Sequence, residues 1–334
     1  MTTELRPLTL GEILDRTAEL YRGNFPLFTG IAAIFATVML LAQVIVLGIL
    51  QFLGYPNVPG NLQWTVAALS VFEWSVWVLV AGLAIAAFNR TVAWVYLGQP
   101  ATIRAAAASV RPHLGRYLWV MTSTGGRAWG PLAAIYIVVF AILFAVMPQG
   151  WLTNPSVMQQ PHALQPDKVL QVAAAFLVIG PLYLVAIIYG VMMWLRYSLA
   201  MPACVVEGAP AGLAIRRGIA LSKGARGRLF VLWLMVYVIR FILGLVFGVP
   251  IIFFSAKHLG QPLPIWLIAL SALAGFLINT FIGPIYSTGL TLFYYDQRVR
   301  KEGFDVEWMM RAAGLSPQTE LPAAAEPETE PPRI

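Results

Sequence analysis

Charge is scarce in this chain. Of 334 residues only 11% are Asp, Glu, Lys or Arg, while 59% are hydrophobic. A domain that folds in water carries roughly 25% charged and 45–50% apolar residues, so a cytosolic enzyme of this length is excluded. Cysteine is nearly absent as well. Cys204 stands alone, which rules out an intrachain disulfide and a CxxC metal site and leaves a small packing residue. Histidine is sparse: His113, His162 and His258 all lie outside the apolar runs, and no HExxH or GxSxG occurs. The RPH triplet at Arg111–His113 lacks the second arginine–histidine element that a membrane phosphatase would need, and TSTGGR at 122–127 lacks the GK[ST] of a phosphate loop. The expectation is a chain with no catalytic site, no cofactor and no metal.

What the chain does have is apolar length, with a mean hydropathy of +0.75. Six runs approach or exceed the ~20 residues needed to cross a hydrocarbon core of ~30 Å: 25–53, 65–88, 129–146, 169–195, 229–254 and 265–295. The basic residues sort sharply between the two sides. Nineteen of the 22 Lys and Arg fall before span 1, between spans 2 and 3, between spans 4 and 5, or after span 6. The connections after spans 3 and 5 hold only Lys168 and Lys257, and Arg240 is inside span 5. The positive-inside rule therefore places both termini in the cytoplasm. It also accounts for the net charge of +7 without nucleic acid as a partner. No cleaved signal is expected, because Glu4, Glu12, Asp15 and Glu19 precede the first apolar run.

The pattern repeats. Pro7, Pro100 and Pro210 each open a polar prelude that leads into a pair of spans, and the preludes end alike, in RGNF, LGRY and RGRLF. This predicts an all-α, polytopic bundle of six membrane helices in three helix-plus-hairpin repeats, at about 7–99, 100–209 and 210–310. Residues 1–24 read as an amphipathic cytoplasmic helix. Thr9 and Glu12 form a capping box, Leu10, Ile13, Leu14 and Tyr21 share a face, and Glu12–Arg16 is an i,i+4 pair. Such a helix either docks, anchoring at an interface, or simply lies on the headgroups and starts span 1. The later preludes carry a basic face of Arg104, Arg111, Arg116, Arg216, Arg217, Lys223, Arg226 and Arg228. It suits anionic headgroups or an acidic protein partner, and equally serves as an ordinary topology signal. Residues 311–334, rich in Pro, Ala and Glu, are expected to be disordered.

Three polar residues sit where lipid should surround them. Arg240 interrupts span 5, Glu73 is the acid within span 2, and Asn279 lies in span 6. A charge in the bilayer centre is costly and needs a partner. Counting from the span ends puts Glu73 and Arg240 within a helical turn of the same depth, which predicts a Glu73–Arg240 ion pair. The alternative leaves Arg240 bonded to Asn279 or to backbone carbonyls. Arg240, Gly244 and Gly248 share a stripe predicted to face the bundle, and Gly275, Asn279, Gly283 and Ser287 form either a small-residue seam or a groove.

Three segments carry a family likeness: RPLTLGEILDRTAELYRGNFPLF (6–28), MPACVVEGAPAGLAIRRGIALSKG (201–224) and LFYYDQRVRKEGFDVEWM (292–309). Together they resemble the bacterial membrane domain found ahead of the catalytic barrel in some glycerophosphoryl diester phosphodiesterases, over about residues 5–310. The resemblance implies a bacterial cytoplasmic membrane. It does not bring the phosphodiesterase activity, because the barrel and its His–Arg pair are missing here. YYDQRVRKEGFD (294–305) is expected to form a helix closing onto the preludes. Two readings of function stand. One is a non-enzymatic scaffold that binds a partner or lipid headgroups through its cytoplasmic helices. The other is a transporter or lipid-handling protein with a polar midplane cavity at Glu73, Arg240 and Asn279.

Overall fold

The computed structural model describes residues 6–54, 63–146, 166–257 and 264–312. The expectations for His162, His258 and the tail from 313 onward lie outside the described residues. Among the described residues the chain is helical and has no strand.

Helix α1 (Leu10–Gly23) starts at the predicted capping box. The Thr9 amide donates to Glu12 Oε2 at 2.6 Å, and the Glu12 amide donates to Thr9 Oγ1 at 3.3 Å. The Thr9 amide, then the Arg6 side chain, hold the Glu12 carboxyl down to about 2. What the box contributes is therefore complete above the ordinary value of 4.5 and lost only as pH falls through about 2. The expected Glu12–Arg16 pair is not formed. Glu12 turns back to the cap and to Arg6, and Arg16 pairs with Glu19 at 2.6 Å instead. A carboxylate at this position of a capping box points toward the helix start, away from the next turn.

Six long helices follow with short ones between them: α2 (Phe25–Phe52), α3 (Gln63–Tyr96), α4 (Ile103–Val110), α5 (Leu114–Val146), α6 (Pro166–Tyr197), α7 (Ala200–Val206), α8 (Ala211–Ser222), α9 (Arg226–Lys257), α10 (Ile265–Glu302) and α11 (Phe304–Ala312). A 3-10 turn at Arg111–His113 joins α4 to α5. Among the described residues five stretches are long and apolar enough to cross a membrane: Phe25–Phe52, Ala68–Tyr96, Phe176–Val206, Arg226–Phe254 and Trp266–Glu302. The expected third span, 129–146, falls within α5, which has 33 residues and is not one of the five.

The long helices pack as hairpins, α2 on α3, α5 on α6 and α9 on α10. Helix α10 is the hub, touching α1, α2, α3, α7, α8, α9 and α11. Its 38 residues reach ~57 Å, well past a ~30 Å hydrocarbon core. The overrun carries Tyr294 to Glu302 into a layer of short helices at one end. There α1 lays Ile13 and Thr17, both fully buried, against α10, so its apolar face docks on protein. Helix α7 is buried along almost its whole length and crosses α8 so closely that only glycine fits at 218. A Cβ there would stand 2.4 Å from the Ala200 nitrogen. Gly303, at φ +64°, ends α10 in the left-handed conformation that glycine adopts without strain.

Candidate functional site

Two polar assemblies stand out, one at the helix-layer end and one inside the bundle. At the layer, Asp296 is fully buried, and both carboxylate oxygens are occupied. Oδ1 accepts from the Leu8 amide at 2.8 Å and from Arg300 Nε at 2.9 Å, and Oδ2 from Arg228 at 3.2 Å and Gln297 at 3.0 Å. The same two arginines both donate to the Leu8 carbonyl, at 2.8 and 2.6 Å. The backbone of one residue ahead of α1 is thus gripped at both its N–H and its C=O by α9 and α10. Burial of an acid is tolerable here because the two guanidinium groups and the amide satisfy it.

Beside this clasp a second network ties α7, α8, α10 and α11. Arg217 pairs with Glu207 and, at 3.0 Å, with Glu302. Burial alone would lower the Arg217 pKa; the hydrogen bond and charge of Glu207, with Glu302 behind, raise it. Tyr294 donates to Glu207 at 2.5 Å, and Arg298 joins Glu302 while lying 4.0 Å over the Phe304 ring. Lys301 donates to the carbonyls of Ala220, Leu221 and Lys223, closing the end of α8. The YYDQRVRKEGFD element is therefore the fastening of the layer.

The basic face drawn from the sequence divides in two. Arg228 and Arg217 belong to these networks, and Arg116 donates to the Gly208 carbonyl at 2.5 Å. Arg104, Arg111, Arg216, Lys223 and Arg226 are exposed and make no ion pair among the described residues. Only these five remain as an open surface for acidic groups.

Inside the bundle, Arg240 donates to Asn279 Oδ1 at 2.7 Å, and Asn279 Nδ2 donates to the Gly275 carbonyl at 2.9 Å. The predicted Glu73–Arg240 pair is not formed: among the described residues Glu73 takes part in no ion pair. The pair fails on packing, since α9 lies against α10 and α6 while α3 reaches α10 from another side, and Arg240 meets Asn279 of α10 instead. Helix α3 runs from Gln63 to Tyr96, so Glu73, ~15 Å from its start, lies ~10 Å short of the middle of a helix ~51 Å long. The Arg240–Gly244–Gly248 stripe also fails as a seam. Gly244 is exposed, and a Cβ on either glycine would meet nothing within 4 Å. Helix α9 lies at the rim, with Phe241, Ile242 and Val246 exposed, so no facing helix makes use of the small residues. The stripe on α10 splits. Ser287 is buried, Gly283 has open space where a side chain would be, and Gly275 and Asn279 face a pocket.

That pocket, of about 130 Å³, lies between α2, α3 and α10. Its polar lining is Gln43, Glu73 and Asn279, and Trp77 and Phe276 supply aromatic walls. Gln43 sits nine residues from the end of α2, so it shares the level of Glu73 on the helix that the next connection returns. The sequence reading missed Gln43 and Trp77. The signal for Gln43 was present, an amide in the middle of an apolar run, and only its facing direction was unknown. Among the described residues no cluster of three His, Cys, Asp or Glu could hold a metal ion.

The Arg240–Asn279 bond is testable. In a double-mutant cycle of Arg240→Gln and Asn279→Leu, unfolding in detergent should show coupling of about 0.5–2 kcal/mol. A cycle of Arg240→Gln with Glu73→Gln should add within about 0.5 kcal/mol. The reverse pattern would restore the direct ion pair.

Compared with family models, with curated proteins and with solved structures, the chain matches none.

Proposed function

We propose that the chain is a six-span protein of the bacterial cytoplasmic membrane that handles an amphiphile at the Glu73 pocket and catalyses no reaction. Helix α5 supplies the sixth span, since it is 33 residues long and packs along α6. The sidedness of lysine and arginine supports cytoplasmic termini. The three preludes support a threefold internal repeat: α1, α4 and α8 each lead directly into a hairpin, and Thr9 and Thr102 cap α1 and α4 two residues after a proline. The likeness to the membrane domain of the phosphodiesterases agrees with this architecture.

One observation carries the functional reading. Glu73 and Gln43 face an open pocket within apolar spans, and neither makes a hydrogen bond among the described residues. In hydrocarbon an unsatisfied polar group costs several kcal/mol, so the pocket favours a polar occupant. A molecule with a polar head and apolar tails meets both the pocket and the lipid around it. The test is native mass spectrometry of the protein released from detergent. Wild type should retain amphiphile adducts that Glu73→Leu and Gln43→Leu lose; identical adduct patterns in all three would sink the reading. A scaffold role stands as the second reading, supported by the five exposed basic residues in and just after α4 and α8 and at the start of α9.

A further inference from the structure

Resting on that reading, we propose that the pocket recognises the ammonium end of a zwitterionic headgroup, with Glu73 and Trp77 as its principal contacts. The lining selects the chemistry. A hard metal cation would need about six oxygen ligands in regular geometry, and the pocket offers one carboxylate and two amides against aromatic walls. A carboxylate beside an indole is the pairing that suits an organic cation, which gains from both the charge and the face of the ring. Trp77 lines the pocket with Glu73, and Phe276 faces it from α10. The size agrees: at about 130 Å³ the space is near the ~150 Å³ that admits a benzene-sized molecule, enough for a substituted ammonium group but not for acyl chains.

Arg240 narrows the class further. Its guanidinium is held on Asn279 Oδ1, the same amide that lines the pocket. A bare cation entering beside Glu73 would meet that second positive charge nearby, so the arrangement favours a ligand carrying its own anion. A phosphate joined to an ammonium by a short linker has that charge pattern. Two sources share it, a membrane lipid and a soluble phosphoamine.

The full chain in mixed micelles should be titrated with phosphatidylethanolamine, phosphatidylcholine and phosphatidylglycerol of matched acyl chains, and with soluble phosphoethanolamine, with adducts measured by native mass spectrometry. The two ammonium lipids should bind about tenfold more tightly than phosphatidylglycerol, and Glu73→Gln should remove that preference. Trp77→Leu should weaken phosphatidylcholine more than phosphatidylglycerol, which keeps the proposal open to refutation if Glu73→Gln does not fold. Equal affinity for all three lipids, or a preference untouched by both variants, overturns the ammonium assignment while pocket binding itself survives. Loss of every pocket-dependent adduct would instead take down the underlying amphiphile reading. Saturable phosphoethanolamine binding that competes with lipid assigns the soluble source, and lipid-only binding assigns the membrane.

Discussion

Replacing Asp296 with alanine should destabilise the protein by roughly 2–3 kcal/mol, because it leaves the half-buried Arg228 and the exposed Arg300 without their counter-ion, with solvent screening part of the loss. Arg228 and Arg300 both converge on this carboxylate, and the Leu8 amide loses its acceptor as well. Asp296→Asn keeps an acceptor oxygen and loses the charge, so its cost should fall between alanine and wild type. Arg226→Ala serves as the comparison: the side chain is exposed and makes no ion pair among the described residues, and its removal should stay within about 0.5 kcal/mol. Thermal unfolding in detergent gives the order, and hydrogen exchange at α1 locates it, since the clasp holds the peptide just ahead of that helix. If Asp296→Ala and Arg226→Ala unfold alike, the clasp does not hold the layer.

The second large effect is expected at Gly218. An added Cβ would lie 2.4 Å from the nitrogen and 2.6 Å from the Cα of Ala200, and 2.9 Å from the carbonyl carbon of Leu199. These are backbone atoms of a buried helix, so no side-chain rotation relieves the overlap. Gly218→Ala should cost about 3 kcal/mol, at the upper end of ordinary overpacking, and Gly218→Val more. Gly212→Ala on the same helix meets nothing within 4 Å and should leave stability at or slightly above wild type, because alanine is the better helix former. A melting temperature that does not distinguish Gly218→Ala from Gly212→Ala would mean that α7 and α8 do not cross this tightly.

Where local chemistry decides, the sequence was readable. The Thr9–Glu12 box depends on four consecutive residues, and it forms. The long apolar runs became long helices at nearly the expected places, extended at the polar ends because the helices continue beyond the apolar stretch. The Glu12–Arg16 pair was misjudged through competition within one turn: the carboxylate was already engaged by the cap. The intramembrane pair was misjudged for another reason. Equal depth does not choose a partner: α9 packs on α10, so Arg240 meets Asn279 while Glu73 opens onto the pocket beyond it.

By itself the sequence determined that this chain forms long apolar helices and that its basic residues gather between alternate pairs of them. Hydropathy and charge act along one dimension, so a linear reading recovers them. Only the tertiary structure decided that Arg240 reaches Asn279, that Glu73 opens onto a pocket with Gln43, and that Asp296 grips the peptide ahead of α1. Each of those depends on how a helix is rotated about its axis and how far it slides along it. Both are set by the packing of side chains from segments distant in the chain, such as Leu8 and Asp296, 288 residues apart.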